Sequence, residues 1–225
     1  MDASSQKQVA WHIKILPPQT KKTLDSLSAQ SWLKKSAWYL AGGTALALQA
    51  GHRKSVDLDF FTPKRNFHAP SLLRHFTANW KTTRLEEGTV YGELFRAKVS
   101  FLSNPLFKPS LPPVRYGAVC VLQPIDIAVM KVIAVSQRGR KRDFIDLYWC
   151  VRNVEPLEKI ILRLKTQYPS VAHDFHHILK SMTYFDDAEN DPLPNLYFKA
   201  SWSQVKKLFI NEVPDVTRKL MKLNP

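Results

Sequence analysis

At 225 residues, 44% hydrophobic and 23% charged, the chain can bury a sizeable core and has the makeup of an ordinary globular protein. Its formal net charge of +14 points to a polyanionic partner (nucleic acid, nucleotide or an acidic protein), against the plainer reading of a solvated basic surface. Two cysteines, Cys120 and Cys150, exclude a disulfide framework and a cysteine-built zinc site, and no apolar run approaches the ~18 residues of a membrane span.

The opening stretch MDASSQKQVAWHIKILPP has no long apolar region, so a secretory leader is not expected. Both cysteines sit in apolar settings, which fits buried thiols in a reducing, cytoplasmic compartment. Residues 18–40 read as helix, with Thr20 or Thr23 as cap after Pro17-Pro18. Gly42-Gly43 interrupts, and Thr44 opens a second helical run ending at Gly51. SVDLDFF, 55–61, alternates as a strand does, with Val56, Leu58 and Phe60 on one face and Asp57 and Asp59 on the other. A helix is predicted over 69–80, strands near 82–86 and 95–102, a Pro-rich loop at NPLFKPSLPPV and a short strand over 116–122.

From Pro124 the pattern turns helical. PIDIAVMKVIAVSQ ends at Gly139, and KRDFIDLYWCVRN, PLEKIILRLKTQ and residues 170–182 follow as helices. FDDAENDPLPN reads as a loop before a closing amphipathic helix pair, SWSQVKKLFINEVPDVTRKLMKL. Strands precede helices, so the expected class is α/β, with a core over 1–123 that includes an amino-terminal helix and a helical region over 124–225.

The chemistry concentrates in AGGTALALQAGHRKSVDLDFF, 41–61. Side chains two apart on a strand share a face, and carboxylates that close repel unless a cation intervenes. Hard oxygen donors suit Mg²⁺, which takes one or two carboxylates and completes its shell with water and phosphate. A glycine turn into a helix offers backbone N–H groups to phosphate and lets the chain approach a ligand closely; Thr44 adds a hydroxyl. Gly42, Gly43, Thr44, Asp57 and Asp59 together describe a nucleoside triphosphate on a metal. Taken separately, the glycines are an ordinary turn and the aspartates a solvated strand face.

The stretch GGTALALQAGHRKSVDLDFF resembles the first motif of the AbiEii/AbiGii-type nucleotidyltransferase toxins, within the polymerase-β-like superfamily of minimal nucleotidyltransferases. MKVIAVSQRGRKRDFIDLYW resembles the family's second block, and FDDAENDP with the later Trp202 and VKK resembles a carboxy-terminal signature, so the likeness spans 30–215. It implies a polymerase-β-like core with a small mixed sheet, and a helical half that completes the active site. It implies triphosphate at Gly43 and Thr44, Mg²⁺ or Mn²⁺ at Asp57 and Asp59, a phosphate contact from Lys131, and Asp146 in catalysis as a base. Asp143, one turn earlier, is the rival. The plainer readings are a surface lysine at 131 and pairing of both aspartates with Arg140, Lys141 and Arg142 along the helix. Many relatives in the superfamily carry a third acid on a neighbouring strand; AKVSFL has none, and Glu93 lies just before it.

The resemblance further implies transfer of a nucleoside monophosphate from NTP to RNA, with tRNA 3′ ends favoured, toxin action, and a separately encoded antitoxin. Nucleotide transfer to a protein hydroxyl and a non-catalytic nucleotide- or partner-binding module are the alternatives. Arg138, Arg140, Lys141 and Arg142 are candidates for RNA backbone contact, and His52, Arg53 and Lys54 either steer triphosphate or an RNA end or form a basic loop. His173, His176 and His177 are either a partial zinc set or exposed histidines, and Tyr148 and Trp149 read as core. Base preference and oligomeric state are not legible.

Overall fold

The computed structural model describes residues 9–76 and 79–222. The leader reading falls in part on residues 1–8, the 69–80 helix includes Thr77 and Ala78, and the closing helix pair reaches Leu223; these positions lie outside the described residues. A 3₁₀ turn at Ile13–Ile15 precedes α1 (Pro18–Ser28), α2 (Ser31–Lys34), β1 (Tyr39–Ala41), α3 (Gly42–Ala50), β2 (Leu58–Thr62) and α4 (Ala69–Leu73). Then come β3 (Trp80–Glu86), β4 (Thr89–Leu94), β5 (Ala97–Ser103), β6 (Val114–Tyr116) and β7 (Val119–Val121). Helices complete the chain: α5 (Pro124–Arg138), α6 (Lys141–Asn153), α7 (Leu157–Leu162), α8 (Leu164–Gln167), α9 (Phe175–Ser181), α10 (Asp186–Glu189) and α11 (Trp202–Lys222).

The strands form one mixed sheet in the order β3-β4-β5-β2-β1-β7-β6, with β2–β5 and β1–β7 parallel and the other pairs antiparallel. Leu58 and Phe60 of β2 are fully buried on one face, where Phe60 stacks on its register partner Phe101 and Phe101 meets Trp32, Trp38 and Phe76. Asp59 and Phe61 face the other way, into a cavity whose far wall is α5. α5 packs on α3 and α6. Apolar side chains from both sides of Gln123 join one cluster, Phe60 and Phe101 with Phe144 and Phe209 among them. No helix among the described residues is long and apolar enough to cross a membrane.

Several local expectations are corrected. The helix expected over 18–40 stops at Ser28, and Tyr39–Ala41 is a central strand buried on both faces, so it lacks alternation. Thr20 and Thr23 are not caps: Pro18 is the first helical residue, and the hydroxyls donate to Val56 O (2.9 Å) and Leu94 O (2.6 Å). β2 begins only at Leu58, because the preceding backbone is engaged elsewhere: Lys54 N donates to Asn195 O (2.9 Å) and Tyr197 N to His52 O (2.8 Å). Val56 is therefore exposed rather than in line with Leu58. α4 is shorter than expected, and Trp80 already starts β3. The strand expected from 95 is preceded by the unexpected β4, joined through Phe95 and Arg96 at positive φ. Residues 114–121 form a hairpin around Gly117, 157–167 split into α7 and α8, the helix expected over 170–182 spans only Phe175–Ser181, and α11 is a single helix through Pro214. α5 and α6 match their predicted spans closely.

Candidate active site

The chain leaves β1 at Ala41 and turns directly into α3. Gly42 sits at φ +70°, a left-handed conformation that favours glycine, and a Cβ there would press on Asp59 Oδ2 at 3.1 Å. Gly43 has a different reason: a Cβ at that position would overlap the guanidinium of Arg53. Thr44 is buried; its hydroxyl lies 2.8 Å from Ser55 Oγ and donates to the carbonyl of Asp57, tying α3 to the approach to β2.

Asp57 immediately precedes β2 and Asp59 is its second residue; both line a cavity of about 920 Å³, within the usual range of ligand sites. Gly42, Gly43 and Thr44 join them at this polar end, while Phe61, Leu102 and Tyr168 line an apolar part. Burial pushes the Asp59 carboxyl upward; a hydrogen bond from Ser100 opposes that, and the charge of Asp57 adds to it. Ser100 is the register partner of Asp59 on β5 and stands where a third acid was sought. Glu93 lies on β4 opposite Lys98 and also lines the cavity. Asp57 is partly exposed, with Arg142 Nη1 at 3.5 Å.

Two carboxylates at one end of the cavity, one of them part-buried and disfavoured in its charged form, fit a hard divalent cation that draws its other ligands from phosphate and solvent. Among the described residues no group of three or more His, Cys, Asp or Glu could hold a metal by itself.

Beneath this site is a buried ionic network. Asp146, on α6, accepts from Arg53 Nε (2.6 Å), Arg53 Nη2 (2.8 Å) and His52 Nε2 (2.8 Å), and lies 2.7 Å from Lys131 Nζ. Asp143 accepts from Lys131 Nζ (2.6 Å) and from Arg138 Nε (2.9 Å). Burial alone would raise the Asp146 carboxyl, but Arg53 and Lys131 outweigh it and hold it well below the usual carboxylate range. Asp143 is lowered against burial by Lys131 and Arg138. Lys131 stays charged because these two carboxylates overcome the desolvation that would lower it. Burial drives His52 down despite Asp146, so the ring is neutral, and its Nδ1 finds no partner among the described residues. The proton is assigned to Nε2, facing Asp146.

Several expectations are revised by this geometry. Lys131 is not a surface lysine: it is buried, lines the cavity and has two of its three donors committed. Asp143 and Asp146 do not pair along their own helix. Asp146, buried, ionised and saturated with donors, is poorly suited to accept a proton as a base. Arg53, expected among residues free for RNA, is buried in the network. Lys141 is likewise buried, its Nζ donating to Glu189 O at 3.0 Å. Lys54, Arg138, Arg140 and Arg142 remain accessible, with Arg140 paired to Asp191 (2.6 Å). His173 and His177 Nε2 atoms lie near Leu164 O (3.1 Å) and Ser136 O (3.2 Å). Tyr148 stacks on Phe198, and Trp149 packs on His52. What the sequence left unread is the anchoring function of His52 and Arg53 and the hydrogen bonding of Ser55 and Ser100; a partner 93 residues away leaves no local trace.

Residues 27–222 match the family model described as nucleotidyl transferase AbiEii toxin, type IV TA system. An uncharacterized protein of Aquifex aeolicus is 33% identical over 193 residues, covering 79% of this chain and 87% of its own. Among solved structures, JHP933 from Helicobacter pylori superposes with TM-score 0.52 at 18% identity, covering 92% of this chain and 96% of that one. MenT4, a nucleotidyltransferase toxin of Mycobacterium tuberculosis, gives TM-score 0.51 at 16% identity over 90% and 88% of the two chains. These likenesses support the α/β nucleotidyltransferase fold, and the family match covers most of the chain: it belongs to the AbiEii nucleotidyltransferase toxin family.

Proposed function

We propose that the chain transfers a nucleoside monophosphate from an NTP to the 3′-hydroxyl of an RNA, with tRNA the leading acceptor, and that this activity is restrained by a cognate antitoxin. The observation that carries the reading is the placement of Asp57 and Asp59 at the glycine turn into α3, in a cavity of about 920 Å³. The backbone N–H groups of Gly43 and Thr44 are suited to the triphosphate, and Lys131 and Arg138 add positive charge at the cavity wall. Mg²⁺ or Mn²⁺ held by Asp57 and Asp59 would offset phosphate charge and activate the acceptor oxygen. That oxygen bonds to the α-phosphorus as the bond to the β-phosphate bridging oxygen breaks; pyrophosphate leaves and the hydroxyl proton passes to solvent in the open cavity.

In this reading Asp146 and Asp143 are positioning residues that hold Lys131, Arg53 and Arg138 in place. Catalysis rests on orientation and charge rather than on a protein nucleophile. The net charge of +14 suits an RNA acceptor, and the two free cysteines suit a cytoplasmic setting. Incubation with labelled NTP, divalent metal and cell lysate tests the proposal. Label in RNase-sensitive, tRNA-sized material that disappears with Asp59→Asn is the expected result. Label confined to RNase-resistant protein would replace RNA with a protein hydroxyl as acceptor.

A further inference from the structure

A second cavity, of about 480 Å³, adjoins the first. Its walls come from the approach to β2, the start of α6 and the segment 191–195. The two cavities share Arg53, Ser55, Asp57 and Arg142, so they meet at one of the paired carboxylates. A transfer reaction brings two reactants together at the charge-stabilising group, and two adjoining cavities that meet at Asp57 can accommodate one each.

The 191–195 wall is firmly held although it has no regular structure. Asn195 O accepts from Lys54 N, and Asp191 takes Arg140 Nη2 at 2.6 Å and Lys141 N at 3.0 Å. Pairing with Arg140 neutralises Asp191. That leaves Lys54, exposed, as positive charge unpaired among the described residues, with Arg142, half-exposed and 3.5 Å from Asp57, beside it. Beside these cations stand apolar side chains turned to solvent, Val56 at 44% and Leu193 at 51% exposure, with Pro192 and Pro194 flanking Leu193. Positive charge next to a small apolar surface matches a nucleotide, phosphate on the cations and base or ribose on the apolar lip.

We propose that this second cavity receives the terminal nucleotide of a single-stranded RNA acceptor and presents its 3′-hydroxyl at Asp57 while the NTP occupies the main cavity. The proposal rests on the nucleotidyl-transfer reading and adds the acceptor's entry side and its single-stranded form.

The test uses the full chain and Val56→Glu and Leu193→Glu variants, whose exposed positions leave the core intact. A fluorescent single-stranded RNA with a free 3′ end, and separately a non-hydrolysable NTP analogue, are titrated by anisotropy. The expected result is a loss of RNA affinity of about tenfold or more from the introduced like charge, with analogue affinity within about twofold of wild type. A 3′-terminal 4-thiouridine should crosslink within 191–195. RNA affinity unchanged in both variants, a crosslink mapped elsewhere, or no RNA binding by the wild type would overturn the subsite. If the wild type labels RNA and both variants bind and label it equally well, the subsite alone falls. If the wild type binds the analogue but labels only protein, the RNA-transfer reading falls with it.

Discussion

Arg53 and Asp146, 93 residues apart, meet as a buried fork: Nε to Oδ1 at 2.6 Å and Nη2 to Oδ2 at 2.8 Å. Removing one partner of such a pair strands the other's charge away from water. Asp146→Asn should therefore cost about 3–5 kcal/mol of folding stability. Asp143→Asn should cost less, since one of its partners, Arg138, is half-exposed and can turn to solvent. Urea unfolding of both variants measures this. An equal or smaller loss at position 146 would show that the network does not anchor the fold.

Asp59→Asn should abolish nucleotide incorporation while raising the melting temperature of metal-free protein. The sign follows from the raised carboxyl: folding favours the protonated form, so the ionised group opposes folding at neutral pH, and asparagine removes that penalty. The rise should be a few degrees, at about 2–4 °C per kcal/mol for a chain this long. Mg²⁺ or Mn²⁺ should stabilise wild type and leave the variant unmoved, because only the intact pair gains binding free energy. Full incorporation by Asp59→Asn would remove the metal assignment.

His52 makes folding sensitive to mild acid. Burial holds the folded ring's affinity for a proton below that of the unfolded chain, whose histidine titrates near 6.5. As pH falls below about 6.5 the unfolded state takes up a proton that the folded state resists, so stability declines. The lowered Asp143 and Asp146 carboxyls add their own loss further down, starting in the ordinary carboxylate range where the unfolded chain takes up protons and continuing below it. Urea midpoints across pH should show the first decline in wild type and a shallower one in His52→Gln. Identical profiles would place the acid sensitivity elsewhere.

Binding of tRNA should fall steeply with salt. Arg142→Glu should lower affinity and flatten the log–log slope by about 0.7–0.9 for each phosphate that is no longer neutralised. Arg53 and Lys141 behave differently: substitution there should reduce stability first, since both are buried in internal bonds. A salt series on the three variants separates these effects. An unchanged slope for Arg142→Glu would move the RNA track away from α6.

The sequence makes some of this readable and hides the rest for identifiable reasons. α5 and α6 are legible because Pro124 opens one, Gly139 closes it at positive φ, and the apolar spacing between is uninterrupted. The paired carboxylates are legible from their spacing, although Asp57 lies just before β2 and reaches the same cavity as Asp59 without strand alternation to place it. β4 is hidden because its turn uses Phe95 and Arg96 at positive φ, residues that carry no turn signal. β1 is hidden because three residues with both neighbours paired show no period. The ionic network is hidden for a different reason: His52 and Arg53 lie in a run that reads as a basic surface loop, and their burial is decided by α6 and by backbone pairing with 195–197.

Gly43 leaves the room that the Arg53 guanidinium occupies, and Arg53 in turn neutralises Asp146. Two nearby positions and a third 93 residues beyond Arg53 are thus bound to a common fate over evolutionary time. Alanine at 43 would push the Arg53 guanidinium off its fork with Asp146, and loss of that arginine would leave the carboxylate at 146 short of a partner. Each single step costs stability, so compensated change at the partner position is favoured. Among descendants of this chain, glycine, arginine and aspartate at these positions should be inherited or replaced as a set, with aligned homologues showing covariation of 43 with 53 and of 53 with 146.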